Sequence, residues 1–226
     1  PLYFGNPSDA KADETEELNY LMEKPQYTLS YNNSTLGPNW VAWHLCKEDL
    51  GDADRSNKFT ADKTLPEQWY KVKKADYQYP SYGFDRGHIC PSADRTASKE
   101  DNEQTFLMTN MIPQAPDCNR IVWKDLEACE RQIVLQGNEL YIFAGGAGCG
   151  GVGDKGYFER ILLSGGDTGD RPPREDLRAS GDRPPRATGQ YTEYTGDRPP
   201  SIQVPEFFWK IILVLPHGED DLNRVT

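Results

Sequence analysis

Tyr82-Gly83-Phe84-Asp85-Arg86-Gly87-His88-Ile89-Cys90-Pro91 is the stretch on which the reading of this chain turns. It carries one of only three histidines in the sequence. An imidazole titrates near neutrality, and here a carboxylate, a guanidinium and a glycine precede it, the glycine allowing backbone or ligand to approach closely. Such a set suits phosphodiester hydrolysis, in which a base must activate water and positive charge must meet the phosphate. Taken alone, Asp85-Arg86-Gly87 reads equally as a surface turn with an incidental histidine.

A helix downstream changes that balance. Starting near Pro116 and Asp117, Val122, Leu126, Cys129 and Ile133 fall at spacings of four, three and four, which predicts an apolar seam, and Gly137 follows as a C-terminal stop. Beside the seam, Asn119, Trp123, Glu127 and Arg131 recur every four residues as a slowly drifting stripe. Asn119 offers a neutral amide oxygen, suited to a hard cation that keeps most of its water. Glu127 can accept hydrogen bonds from those waters, and Arg131 can meet a phosphate. The plain alternative is a solvated helix face with an ordinary Glu/Arg pair.

Around these two segments the pattern is strand-like. Tyr27–Tyr31 and Trp40–Leu45, separated by the turn signal Asn32-Asn33, read as two paired strands. Phe106–Ile112, ended by Pro113, reads as another, and Glu139–Ala144 and Trp209–Leu215 add two more. Without a regular alternation of strand and helix, the expectation is α+β with a largely antiparallel sheet. A chain of 226 residues is long enough for a sizeable core. No apolar run approaches the ~18 residues of a membrane span, and no membrane partner is expected. Pro1 is not followed by a basic and then an apolar segment, so any targeting segment is expected outside this sequence.

The formal charge of -11 argues against holding nucleic acid by bulk electrostatics. Acid gathers at the ends, however, while Arg55, Lys58, Lys63, Lys71, Arg86, Arg95, Arg120, Lys124 and Arg131 lie in the middle, which allows a locally basic cleft. The five cysteines form no C-x-x-C pair, which argues against a structural zinc site and leaves disulfides or free thiols open. Residues 164–200 hold Gly-Asp-Arg-Pro-Pro three times, from Gly169, Gly181 and Gly196, with Leu177 as the one bulky aliphatic residue. This reads as a mobile insertion of polyproline character, or as a docking site for another protein.

Asp85–His88 and the helix together resemble the ββα-metal fold, a central, mainly antiparallel sheet flanked by helices. The chain is similar to the sugar-nonspecific DNA/RNA endonuclease family, and above all to its cyanobacterial extracellular members. The likeness rests on Asn19–Met22, Tyr31–Ser34, Asn39–Trp43, Asp62–Pro66, Asp85–His88, Pro91–Thr96, Phe106–Met111 and Asn119–Glu127, and resumes at Val204-Pro205 and Trp209–Ile211. It implies one nuclease domain over residues 1–226, interrupted at about 164–200, in a family whose members usually continue beyond the position of Thr226.

Carried over residue by residue, the resemblance makes His88 the general base and Asn119 the direct protein ligand of Mg²⁺ or Mn²⁺. Asp85 and Glu127 would hold the ion's waters, one of which protonates the leaving 3′ oxygen. Arg55, Arg86 and Arg131 would bind the phosphate. The implied activity is hydrolysis of single- and double-stranded DNA and RNA with little sequence specificity, leaving 5′-phosphate ends. Water attacking phosphorus needs no 2′-hydroxyl, and backbone contacts carry no sequence information. A secreted or periplasmic location and a protein inhibitor are further implications. A binding protein on a catalytically weak nuclease-like scaffold, working through the proline-rich insertion, is the alternative from another class. An HNH-type specific endonuclease is a third.

Overall fold

The computed structural model describes residues 1–163 and 200–218, so the expected insertion at 164–200 lies, apart from Pro200, outside the described residues. Within them the fold is built on a five-stranded antiparallel sheet. Its first three strands are β1 (Tyr20–Glu23), β2 (Thr28–Asn32) and β3 (Gly37–Leu45). The expected Asn32-Asn33 turn joins β2 to β3, with Thr28 opposite Ala42. A separate two-stranded ribbon follows, β4 (Asp85–His88) with β5 (Met111–Gln114), and then the sheet resumes with β6 (Asn138–Ala147). Small ribbons β7 (Gly151–Gly153) with β8 (Gly156–Phe158), and β9 (Arg160–Leu162) with β10 (Ser201–Gln203), precede β11 (Phe207–Pro216). The sheet order is β1-β2-β3-β6-β11.

Strand alternation divides β3 between two cores. Val41, Trp43 and Leu45 pack with Leu140, Ile142 and Ala144 of β6 and with Trp123 and Val134 of the long helix, all buried. Trp40 and Ala42 face the other way, against Phe143, Trp209 and Ala10. Complete burial of an aliphatic side chain such as Leu45 stabilises the fold by about 1.5–3 kcal/mol, which makes these strands the rigid frame. A third cluster, including Phe84, Met108, Met111, Ile161 and Ile202, seats the β4–β5 ribbon. That ribbon is pressed tight at Gly87, where an added Cβ would lie 2.8 Å from the Gln114 Cβ.

Two expectations are corrected. Phe106–Ile112 is not a strand ended by Pro113. Met108–Asn110 form a 3-10 turn, and β5 begins at Met111 and runs through Pro113. The buried polar side chains explain the break: Asn110 Nδ2 donates to Cys90 O and Thr105 O at 2.9 Å each, and Thr109 Oγ1 donates to Asp62 Oδ2 at 2.7 Å. These bonds replace a strand ladder. Pro113 is tolerated because the ribbon has only two strands, so its missing N–H can face away from the partner.

The second correction concerns the helix seam. α1 (Tyr79–Tyr82) and α2 (Lys99–Gln104) are short, whereas α3 (Lys124–Leu135) continues directly from a π-helical turn over Cys118–Trp123. Val122 is 66% exposed and Leu126 37%, and Cys129 is exposed too. Trp123, Glu130 and Val134 are buried instead, with Glu127 partly so. Trp123 and Glu127 thus share the inward side of the helix with Glu130 and Val134. Gly137, with φ +92, ends the helix as expected.

Candidate active site

β4 and the helix are joined by a short path. β5 lies antiparallel to β4 with Gln114 opposite Asp85, and three residues later the chain enters the π turn that carries Asn119. Asn119 Nδ2 therefore donates to Asp85 Oδ2 at 2.9 Å. Its neighbour Arg120 grips the same carboxylate in a fork, Nε to Oδ2 at 2.8 Å and a terminal nitrogen to Oδ1 at 2.7 Å. With Nδ2 committed to Asp85, the amide oxygen is the atom that Asn119 has left to offer a cation.

At the other end of β4, His88 is 7% exposed, with its ring 4.6 Å from that of Phe106 and 5.7 Å from that of Phe59. Each of these rings also carries a guanidinium: Arg55 stands 4.9 Å above Phe106 and Arg86 4.6 Å above Phe59. Burial first, and then the charges of Arg55 and Arg86, push the imidazole down to about 3. His88 is thus neutral at ordinary pH, and its buried Nε2 has no hydrogen-bond partner among the described residues. Arg55 is fixed by bonds to Ser92 Oγ at 2.5 Å and Asn57 Oδ1 at 3.1 Å. Burial lowers its guanidinium's pKa and the Glu127 carboxylate opposes that, which places Glu127 in the same electrostatic neighbourhood.

Burial also drives the Glu127 carboxyl up to about 8; Asp94 and Glu130 add to the rise, while Lys210 and Arg131 oppose it. Arg131 gives a bond of 2.8 Å to the buried Asp94, which also accepts from Trp43 Nε1 at 3.0 Å. Arg131, expected at the phosphate, therefore stands beside the acids with one donor already used on Asp94. The structure thus brings Asp85 to Asn119, and His88 to Arg55 and Arg86, with Glu127 and Arg131 on the inward face of the helix.

Sequence reading missed three participants. Arg120 was visible only as a basic residue beside Asn119. Asp94 sat in the Pro91–Thr96 motif with no assigned task. Lys210 lies 3.0 Å from Glu130 Oε1 and 4.5 Å from the Trp123 ring centroid, and no local signal links a residue in β11 to the helix.

An amide oxygen beside the Asp85 carboxylate fits a hard, oxygen-seeking divalent cation. Added positive charge would also relieve the crowding of Glu127 with Asp94 and Glu130.

An antiparallel ribbon running into a helix, with the histidine on the ribbon and the asparagine at the helix start, is the ββα-metal arrangement. The family model for DNA/RNA non-specific endonucleases matches residues 5–225, and the chain belongs to that metal-dependent family. It is 54% identical to a Nostoc sp. nuclease over 155 residues, 69% of this chain and 56% of the relative. It is also 31% identical to a Syncephalastrum racemosum nuclease over 94% of this chain and 56% of that one. Human mitochondrial endonuclease G is 31% identical over 57% of this chain and 43% of its own length. The chain thus spans about half the length of these curated relatives. Among solved structures, a chain in the crystal structure of the EndoG/EndoGI complex superposes with a TM-score of 0.65 at 21% identity, covering 96% of this chain and 72% of that one. That likeness concerns the fold.

Proposed function

We propose that residues 1–226 form one nuclease domain that hydrolyses phosphodiester bonds of single- and double-stranded DNA and RNA with little sequence preference, leaving 5′-phosphate ends. The observation that carries this reading is His88: buried, neutral, with an unbonded Nε2 and with Arg55 and Arg86 stacked on the two aromatic rings that flank it. A neutral imidazole can take a proton at Nε2 from an attacking water, and Arg55 and Arg86 would bind the phosphate as charge builds. Arg131 retains donors beyond the one given to Asp94, and so can assist.

Mg²⁺ or Mn²⁺, held by Asn119 with Asp85 and Glu127 accepting from its waters, would stabilise charge on the phosphate and on the leaving 3′ oxygen. Arg120 and Asn119 between them hold Asp85 in a single orientation. Contacts made through phosphate oxygens carry no base information, which fits cleavage with little sequence preference.

A secreted or periplasmic location and an inhibitor protein belong to the same proposal. The Nostoc relative supports the first, although mitochondrial relatives also occur. A solved neighbour described as an inhibited complex motivates the second.

Incubating plasmid and, in parallel, RNA with the protein tests the reading. With Mg²⁺ both should degrade to a smear, and EDTA should stop it. Discrete DNA fragments would favour an HNH-type specific enzyme, and no cleavage in either condition would favour the binding scaffold.

A further inference from the structure

The two histidines that the nuclease reading leaves unused meet at one end of the central sheet. His44 lies near the end of β3, Glu139 near the start of β6, and His217 directly after β11, and the antiparallel order β3-β6-β11 brings these ends together. Glu139 Oε2 faces both imidazoles, His44 Nε2 at 3.2 Å and His217 Nδ1 at 3.5 Å. His44 alternates with Trp43 and Leu45, which pack toward the helix α3, so this cluster sits on the opposite side of the sheet from the Asn119 helix.

After β3 the chain turns at Cys46 into a 3-10 turn, Lys47–Asp49, that folds further donors onto the same point. Cys46 Sγ is 3.3 Å from Asp49 Oδ2, and ligand atoms of His44, Cys46 and Asp49 all lie within 4.8 Å of one another. Glu48 Oε1 lies 3.4 Å from His217 Nε2 at the rim. The opposing charge is Arg95, with a nitrogen 3.5 Å from Asp49 Oδ2.

Imidazole, thiol and carboxylate crowded in this way are the donor types of a borderline-soft transition metal ion. With metal–ligand bonds of about 2.0–2.3 Å, the donors of a tetrahedral site stand about 3.3–3.8 Å apart. The ligand atoms of His44, Cys46 and Asp49, all within 4.8 Å of one another, need side-chain shifts of no more than about 1 Å to match.

We propose that His44, Cys46 and Asp49 form a second metal site, for one Zn²⁺ or similar borderline-soft divalent ion, with Glu139 holding the His44 imidazole at Nε2 and His217 steadying Glu139 from outside. Its mixed nitrogen, sulfur and oxygen donors select a different ion from the all-oxygen set around Asn119. The cysteine spacing argued against zinc because it looks for cysteines paired closely in sequence. Here a single cysteine joins a histidine at the end of β3 and an aspartate in the turn that follows, a spacing that a search for cysteine pairs does not test. The ion would pin the Lys47–Asp49 turn to the end of β3 without taking part in phosphate chemistry, so this proposal stands apart from the nuclease reading.

The test uses the full chain, stripped by chelator and dialysed against Zn²⁺ or Co²⁺. Wild type should retain one tightly held equivalent, unfold at a higher temperature with it, and show an intense near-ultraviolet thiolate-to-cobalt band. Cys46→Ser should lose the band, and His44→Gln should lose the tightly held equivalent. Glu139→Ala should weaken binding by about tenfold to a hundredfold, as loss of an outer hydrogen-bond partner does. Asn119→Ala should keep the Zn²⁺ equivalent. A wild type that holds no equivalent, or Cys46→Ser and His44→Gln proteins that bind as tightly as wild type, would overturn the site. Should Cys46→Ser fail to fold by circular dichroism, Glu139→Ala decides, and unchanged affinity there overturns the proposal.

Discussion

His88 is uncharged because it is buried next to two guanidinium groups, and this sets its response to pH. Its imidazole titrates near 3 in the fold against 6.5 ordinarily, so below 6.5 the unfolded chain binds the proton that the folded chain refuses. Its contribution to stability is therefore present above 6.5 and is lost as pH falls toward 3. Cleavage should accordingly show no acid limb at the ordinary histidine value, which a rate profile at saturating Mg²⁺ can check. His88→Ala should lower the rate by about 10² to 10⁴ with circular dichroism unchanged; a variant within tenfold of wild type would exclude His88 as the base. Glu127 shifts the other way, to about 8, so without a cation it is mostly protonated at neutral pH. Its share of stability in the metal-free fold is full below its ordinary value of 4.5 and fades as pH rises through about 8. A cation must displace that proton. The Mg²⁺ concentration giving half-maximal activity should thus be several-fold higher at about pH 6 than at about pH 9, and Glu127→Gln should flatten the difference.

At the scale of elements, the strands flanking the sheet centre were legible because β-branched and aromatic residues cluster there. Trp40–Leu45 and Glu139–Ala144 lie inside β3 and β6. The helix was legible in position but not in orientation. Periodicity counts apolar residues, and the outward side of this helix is the more apolar one: Val122 and Leu126 line an open cleft of about 510 Å³ with Phe84, Pro113, Val152 and Phe207. The inward side instead buries Glu130 and half-buries Glu127 and Arg131, a choice made possible by Lys210 and Asp94, which no helical repeat reveals. The orientation is measurable by denaturant unfolding. Val122→Lys should change stability by no more than about 0.5 kcal/mol, whereas Val134→Ala should cost more than about 1 kcal/mol. The reverse order would restore the seam expected from spacing alone.

For the whole molecule, the site is assembled from Arg55, β4, the helix start and β11, and only the contiguous pieces announced themselves in the sequence. Asp85–His88 and Asn119–Glu127 could be read as motifs, but the pairing of Arg55 with Phe106 and of Lys210 with Glu130 depends on tertiary contacts. The same scale bears on the segment around the Gly-Asp-Arg-Pro-Pro repeats. β9 and β10 pair antiparallel with Ser201 opposite Leu162, and Leu163 N donates to Pro200 O at 3.3 Å. The two sides of residues 164–199 are therefore already adjacent and anchored, with Ile161 and Ile202 buried in the core. A short Gly/Ser link can close that pair as a hairpin, since shortening a loop lowers its closure entropy rather than raising it. Residues 165–200 carry seven acidic residues against six arginines, hence little net attraction to DNA, and Leu177 is their one bulky aliphatic side chain. Replacing 164–199 by such a link should leave stability equal or slightly higher and nuclease activity within a few-fold. A more than tenfold rise in KM for nucleic acid at low salt would mean that the arginines of the segment line the substrate path, and the passive reading of the insertion would fall.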